Sequence, residues 1–316
     1  MIFVGIDENG LGPRLGPLVV TAVSARCADT VGRRGRAWAL PRRALRARLD
    51  DSKRLVSYGH DALGEAWARA IARRMVPAGE TGPIAPEALV AAFSVDGPAA
   101  LRAPCPDEHA GQCWAATGER FVATRELVAC VERDLADFDA RGAVVLRAAC
   151  VITCVRRLHD ADGRGLSRLH VDLHAMERLA LDARHRAGGD IDVTCGKVGG
   201  YGQYGPAFGP LRDFACTPLE EGRERSEYAI AGLGRMAFVR DGDSSHALVA
   251  MASLVGKWVR DVLMARVVRH HRRGDPSIPD ASGYNDPKTT RLIEATSLRR
   301  QQTGLPRECF ERPGRK

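Results

Sequence analysis

The stretch IFVGIDENGLGPRLGPLVVTAV, residues 2–23, decides how the rest of the chain reads. Ile2 to Ile6 is an apolar run that predicts a buried strand, and Leu18 to Val23 predicts a second. Asp7 and Glu8 close the first strand. The loop between the strands carries Gly10, Gly12, Pro13, Gly16 and Pro17, with Arg14 in its middle. Carboxylate oxygens suit a hard divalent cation, and nearly bare backbone lets a phosphate or sugar come close. The same string also reads as an acidic strand end before an ordinary turn. Acids further along the chain have to choose between the two.

With 316 residues, 45% of them hydrophobic, the chain can bury one large core or two modest ones. No apolar run approaches the roughly 20 residues that span a membrane. Met1 is followed by a single apolar strand and then acids, with no basic leader, so no signal peptide and a cytoplasmic location are expected. The nine cysteines are scattered and unpaired in pattern, as reduced thiols are. Cys105, His109 and Cys113 supply three zinc-type ligands on a Pro-rich loop but lack a fourth partner and a standard spacing. The net charge is +8 and arginine dominates the cations. Guanidinium suits phosphate, and a basic chain is drawn to polyanions. Arg33 to Arg48 holds seven arginines (33, 34, 36, 42, 43, 46 and 48) and reads as a nucleic-acid face or as a solvated insertion.

Further along, Leu63, Trp67, Ala70, Ile71 and Met75 mark one face of a helix. Residues 77–113 are rich in Pro and Gly and read as a surface excursion. Phe121, Thr124, Val128, Val131, Leu135 and Phe138 mark a second helix, and Ala143 to Thr153 reads as a buried strand or a helix. LHVDL, residues 169–173, is a short strand candidate carrying Asp172, with a helix from about Ala175 to Arg186 after it. CGKVGGYGQYGPAFGP, residues 195–210, sets Lys197 among glycines and tyrosines. It suits a phosphate cradle, or a loop stuck down by its tyrosines. Met236 to Val239 is a strand. Asp243 precedes a long helix, about Ser245 to Arg269, where an acid serves as cap or as ligand. Ala250, Ala252, Ser253 and Gly256 let that helix pack tightly on a sheet. Asp261 lies four residues after Lys257, the spacing of an ion pair. Residues 281–294 form a loop opening into a short helix. The alternation predicts one α/β domain, residues 1–296, with insertions at 77–116 and 187–228. A basic C-terminal tail, 297–316, completes the chain, disordered from Arg312.

Asp7, Glu8, Asp172 and Asp243 each end a strand or begin the helix after it. Such ends converge on one edge of an open α/β sheet. Four acids gathered there would repel one another unless cations neutralise them, and oxygen-only donors favour Mg²⁺ or Mn²⁺, as a two-ion site, over zinc.

These residues resemble ribonuclease HII, of the ribonuclease H superfamily. Asp7-Glu8-Asn9-Gly10-Leu11-Gly12-Pro13-Arg14-Leu15-Gly16-Pro17 is similar to the family's opening signature, and Asp51-Ser52-Lys53 to its Asp-Ser-Lys. Val171-Asp172 is similar to its strand with the third carboxylate. Gly242-Asp243 with AMASLVGKWVRDVLM (250–264) resembles its fourth block, and Ser282-Gly283-Tyr284-Asn285-Asp286-Pro287 its Gly-Tyr-Pro-x-Asp-Pro. The resemblance implies an RNase H-like α/β fold, a central mixed sheet flanked by helices, with Asp7, Glu8, Asp172 and Asp243 as metal ligands. It implies hydrolysis at ribonucleotides in RNA–DNA hybrids or duplex DNA, leaving 5′-phosphate and 3′-hydroxyl ends. Gly10, Leu11 and Gly12 would meet the substrate, Lys53 a phosphate, and Tyr284 the sugar beside the cleaved bond. Leu11 stands where the family has an arginine, and Ser245 where it has a lysine. Lys197 or Arg14 would then replace the lost cation. Two other readings remain: a binding protein on this fold that has lost cleavage, and a superfamily nuclease acting on a DNA structure.

Overall fold

A computed structural model describes residues 1–27, 37–40, 45–77, 79, 80, 82, 83, 85–103, 105, 107–114, 118–198, 201–273 and 275–314. Strand β1, Ile2–Asn9, lies near the middle of a seven-stranded sheet ordered β3-β2-β1-β4-β7-β6-β5. Here β2 is Leu18–Arg26, β3 Val144–Thr153, β4 Ile191–Gly196, β5 Cys216–Glu221, β6 Arg225–Ile230 and β7 Gly234–Val239. β1, β2 and β3 run antiparallel in turn, while β4 and β7 extend the sheet in parallel from β1. β6 and β5 then close the other edge as an antiparallel hairpin. The sheet is therefore mixed and, with helices on both faces, the α/β class is as the sequence implies.

Alternation along β1 divides two cores. Phe3 joins Val19, Val23, Trp67 and the long Ala247–Arg272 helix on one face. Val4 and Ile6 join Leu173, Met176 and Leu179 of the Arg168–Ala187 helix on the other. The long helix sits so close to β1 that a Cβ on Gly5 would run into the main chain at Leu248. Ala250, Ala252 and Ser253 are buried there, as their small size allows. A third cluster packs Leu15 and Met264 against Leu305, Cys309 and Phe310.

Four expectations change. LHVDL is not a strand. Ser167 caps a helix that starts at Arg168, its hydroxyl accepting from the His170 amide, and Asp172 sits in the second turn. Residues 187–228 are not a peripheral insertion, because β4 takes the central slot beside β1, burying Ile191, Val193 and Cys195. Residues 77–113 are more than a surface excursion: the Pro86–Phe93 helix buries Leu89, Val90 and Phe93 in the core. Arg312 is buried and hydrogen-bonded, so the chain is ordered there. Of the arginine-rich stretch, 33, 34, 36, 42 and 43 lie outside the described residues. Arg48 forks onto Asp134 at 2.6 and 2.7 Å, and Arg46 pairs with Asp50. Among the described residues, no helix is long and apolar enough to cross a membrane.

Candidate metal centre and substrate loop

β1 delivers Asp7 and Glu8 to its C-terminal end with opposite orientations, as a pleated strand must. Asp7 faces the long helix, near Ser253, and Glu8 faces the Arg168–Ala187 helix and Asp172. Asp243 comes from a one-turn helix, Gly242–Ser245, that immediately precedes the long helix. It caps neither: neither cap residue, Asp241 or His246, makes a side-chain cap bond. The capping explanation of Asp243 therefore falls away, and its carboxylate lies in the field of Asp7, Glu8 and Lys53.

The four acids feel one another. Burial, then the charge of Glu8, pushes the Asp7 carboxyl well above the usual range. Burial and then Asp172 push Glu8 up to about 8. Asp172 is fully buried, and among the described residues neither of its carboxylate oxygens has a hydrogen-bond partner. Burial followed by Asp7 raises it strongly. Asp243 is raised by burial and then by Asp51. Asp51 is the acid to which sequence reasoning gives no role. It also caps the Ser52–Leu55 helix by accepting from the Lys53 amide at 2.9 Å. Burial pulls the Lys53 ammonium down, but Asp243, Asp51, Glu8 and Asp7 outweigh it and hold the cation charged.

An orphaned, buried carboxylate in the field of Asp7 and Glu8 has the chemistry of a hard-cation site. The ligand shell is not closed: among the described residues, no group of three or more His, Cys, Asp or Glu side chains is arranged to hold a metal ion. β4 contributes no acid at this end of the sheet; its one acid, Asp192, lies opposite Phe3 near the strand's start. The strand ends at Thr194, Cys195 and Gly196, with Lys197 next. Gly196 is required, since a Cβ there would strike the Asp7 carboxylate.

The substrate-contact candidates divide. Tyr284 is exposed, with the Arg260 guanidinium 4.8 Å from its ring centre. Leu11 borders a cavity of about 340 Å³ with Leu158, Leu166, Leu169 and Val171. Arg14 is committed elsewhere, to Glu311 at 2.8 Å and Thr290 at 3.2 Å. Lys197 is turned to the β5–β6 turn, donating to the Gly222 carbonyl and the Ser226 hydroxyl. The 195–210 segment is held by its tyrosines: Tyr204 stacks on Phe238 at 3.7 Å, and its amide donates to the Tyr228 hydroxyl. Asp261 is a buried ion-pair partner of Arg260 and Lys257, as its spacing predicts. His246 is pushed down to about 4 by burial, so it is neutral near pH 7. The side chain of His109 lies outside the described residues. Cys113 instead shares a small cavity with Cys154 and Cys309.

No family model and no curated protein matches the chain. Among solved structures it is similar to ribonucleases HII and HIII. The structure of the PCNA:RNase HII complex from Archaeoglobus fulgidus matches with a TM-score of 0.41 and 18% identity, covering 98% of this chain and 93% of that one. Bst-RNase HIII in complex with Mn²⁺ matches at 0.44 and 12%, covering 98% of this chain and 66% of the other. The ribonuclease H2 from Pyrococcus horikoshii OT3 matches at 0.42 and 15%, covering 98% and 92%. The chemistry of the site rests on its own residues.

Proposed function

We propose that this chain is a metal-dependent nuclease of the ribonuclease H kind. Its reaction is hydrolysis of the phosphodiester at ribonucleotides in RNA–DNA hybrids or ribonucleotide-bearing duplex DNA, giving 5′-phosphate and 3′-hydroxyl ends. One observation carries the reading: Asp172, buried with both oxygens unpartnered among the described residues, meets the field of Asp7 and Glu8 at the end of β1. In a low-dielectric interior such a group stays ionised only beside a cation. Asp7, Glu8, Asp172 and Asp243 would hold Mg²⁺ or Mn²⁺. The ion would polarise the scissile phosphate and acidify a water. Lys53, kept charged by the surrounding acids, would bind a substrate phosphate. The Gly10–Leu11–Gly12 backbone would lie against the sugar–phosphate chain, and the Tyr284 ring, backed by Arg260, against the sugar. A cytoplasmic site of action is part of the same reading.

A second reading has its own support. The C-terminal end of β4 brings no carboxylate to the site, and Asp172 reaches it from a helix, which favours a protein that binds such duplexes without cutting them. A gel assay decides. The substrates are a single-ribonucleotide duplex, an RNA–DNA hybrid, plain DNA and branched DNA, each with Mg²⁺ or Mn²⁺. Cutting of the ribose-containing substrates, lost in Asp7→Asn and Asp243→Asn, is the expected result. Cutting of ribose-free substrates alone would refute it, and binding without cutting under either metal would establish the second reading.

A further inference from the structure

The loop behind Asp7 and Glu8 is held from behind by arginines the sequence motif does not contain. Arg312 is buried. Its Nε donates to the Gly16 carbonyl at 2.7 Å, its Nη1 donates to the Gly10 carbonyl, and its amide donates to the Arg14 carbonyl at 2.9 Å. Arg168 donates to the Leu11 and Pro13 carbonyls, at 3.2 Å each, and to Pro313. Arg14 pairs with Glu311, and Leu15 bridges Glu311 through the main chain. The carbonyls of residues 10, 11, 13, 14 and 16 therefore all point into this clamp. Among the described residues, the amides of Leu11 and Gly12 make no main-chain hydrogen bond.

Among the described residues, Arg312 has no carboxylate partner, and its Nη2 is buried with no partner at all. The charges of Arg260 and Arg168 reach it, so the loop backs onto an electropositive pocket. A buried guanidinium acts across low dielectric, where its field reaches further than that of an exposed one. On the opposite side of the loop the Arg14 and Leu15 amides donate to the Gly283 carbonyl at 2.8 and 3.1 Å, which leaves the consecutive Leu11 and Gly12 amides as the pair able to form an anion-binding backbone nest.

We infer that Arg312 is a positioning residue for nucleic-acid binding: it fixes the 10–16 loop so that the Leu11 and Gly12 amides are presented to an anion, and supplies from behind the positive charge that Leu11 does not carry. The phosphodiester backbone of the duplex is the anion it serves. This role rests on the proposed nucleic-acid activity. It differs from that reading in locating the missing cation outside the signature, about three hundred residues further along the chain.

The test measures binding of the full chain to a fluorescent RNA–DNA hybrid over a salt series without divalent metal. Hydrogen exchange of the Arg14 and Leu15 amides, which donate to the Gly283 carbonyl, is followed in parallel. Arg312→Ala is expected to weaken hybrid binding about tenfold, the scale of a lost charge-assisted contact, and to speed exchange in the loop. Arg312→Gln keeps hydrogen-bonding capacity without charge, so it should restore slow exchange but leave a shallower salt dependence. Arg312→Lys should recover the salt slope. Parent-like affinity and slope in the Gln variant would overturn the charge role while leaving the nuclease reading intact. Unchanged loop exchange in the Ala variant would overturn the positioning role. A parent protein that binds no hybrid would refute the functional reading itself, and the charge role with it.

Discussion

Divalent metal should stabilise this protein more strongly as pH rises. The Glu8 carboxyl, ordinarily at 4.5, is pushed up to about 8 in the fold, chiefly by burial and then by Asp172 and Asp243, with Lys53 opposing. Asp7, Asp172 and Asp243 are displaced in the same direction. Between these two values the unfolded chain has released the proton and the native protein still holds it. The native state thus binds more protons, and stability falls as pH rises from about 4.5 to about 8. The Glu8 gap alone is worth at most ~5 kcal/mol, at ~1.4 kcal/mol per tenfold. Glu8 is half-buried, and solvent screening reduces this to roughly 2 kcal/mol. A bound cation removes the penalty by favouring the ionised form. At a hundredfold excess over its dissociation constant it adds about 2.7 kcal/mol. At pH 5 protons compete for the same oxygens and the gain shrinks. Urea denaturation at pH 5, 6.5 and 8, in chelator or in Mn²⁺, measures all of this. The metal-free midpoint should drop with pH, Mn²⁺ should restore it at pH 8, and Glu8→Gln should flatten both trends. A metal-free midpoint constant from pH 5 to 8, or an Mn²⁺ effect equal at both ends, would refute the electrostatic account of the site.

Three further outcomes are expected from named contacts. Gly196→Ala places a methyl against the Asp7 carboxylate and should abolish Mn²⁺ stabilisation while leaving the far-UV circular dichroism spectrum native. Glu119→Gln leaves the buried Arg266, held at 2.6 and 2.9 Å, without its counter-charge. It should cost roughly 3–5 kcal/mol in urea unfolding. Lys197→Ala frees the β5–β6 turn from its bonds to Gly222 and Ser226. Limited proteolysis should then cut more readily near residues 222–226, with hybrid affinity unchanged; a loss of affinity would return Lys197 to the substrate surface.

Local pattern makes the frame legible. The apolar runs of β1 and β2, and the small residues of the long helix, announce in residue type alone how they pack. Asp172 is misplaced by such reading because Leu-His-Val-Asp-Leu alternates as a strand does over five residues. The Ser167 cap and the buried series Asp172, Met176, Leu179 and Ala183 mark a helix only over a longer span. β4 escapes notice because its six residues lie between glycine-rich segments. Its partner, β1, lies far away in sequence. Asp51 stands in a motif, yet its nearness to Asp243 depends on how two short helices meet. Arg312 is beyond reach for another reason. Its acceptors are main-chain carbonyls, which every residue has, so no residue type advertises them.

The loop clamp also sets an order of events during synthesis. Residues 1 to 26, with both carboxylates of the β1 pair, are made well before residue 312 and pair with each other as an antiparallel hairpin. The carbonyls of Gly10 and Gly16 find their guanidinium only after residue 312 has been added. A nascent chain shorter than that carries the acids with their neighbouring loop untethered. A chain cut short of residue 312 should therefore keep the β1–β2 pair but lose the clamp on the loop between them.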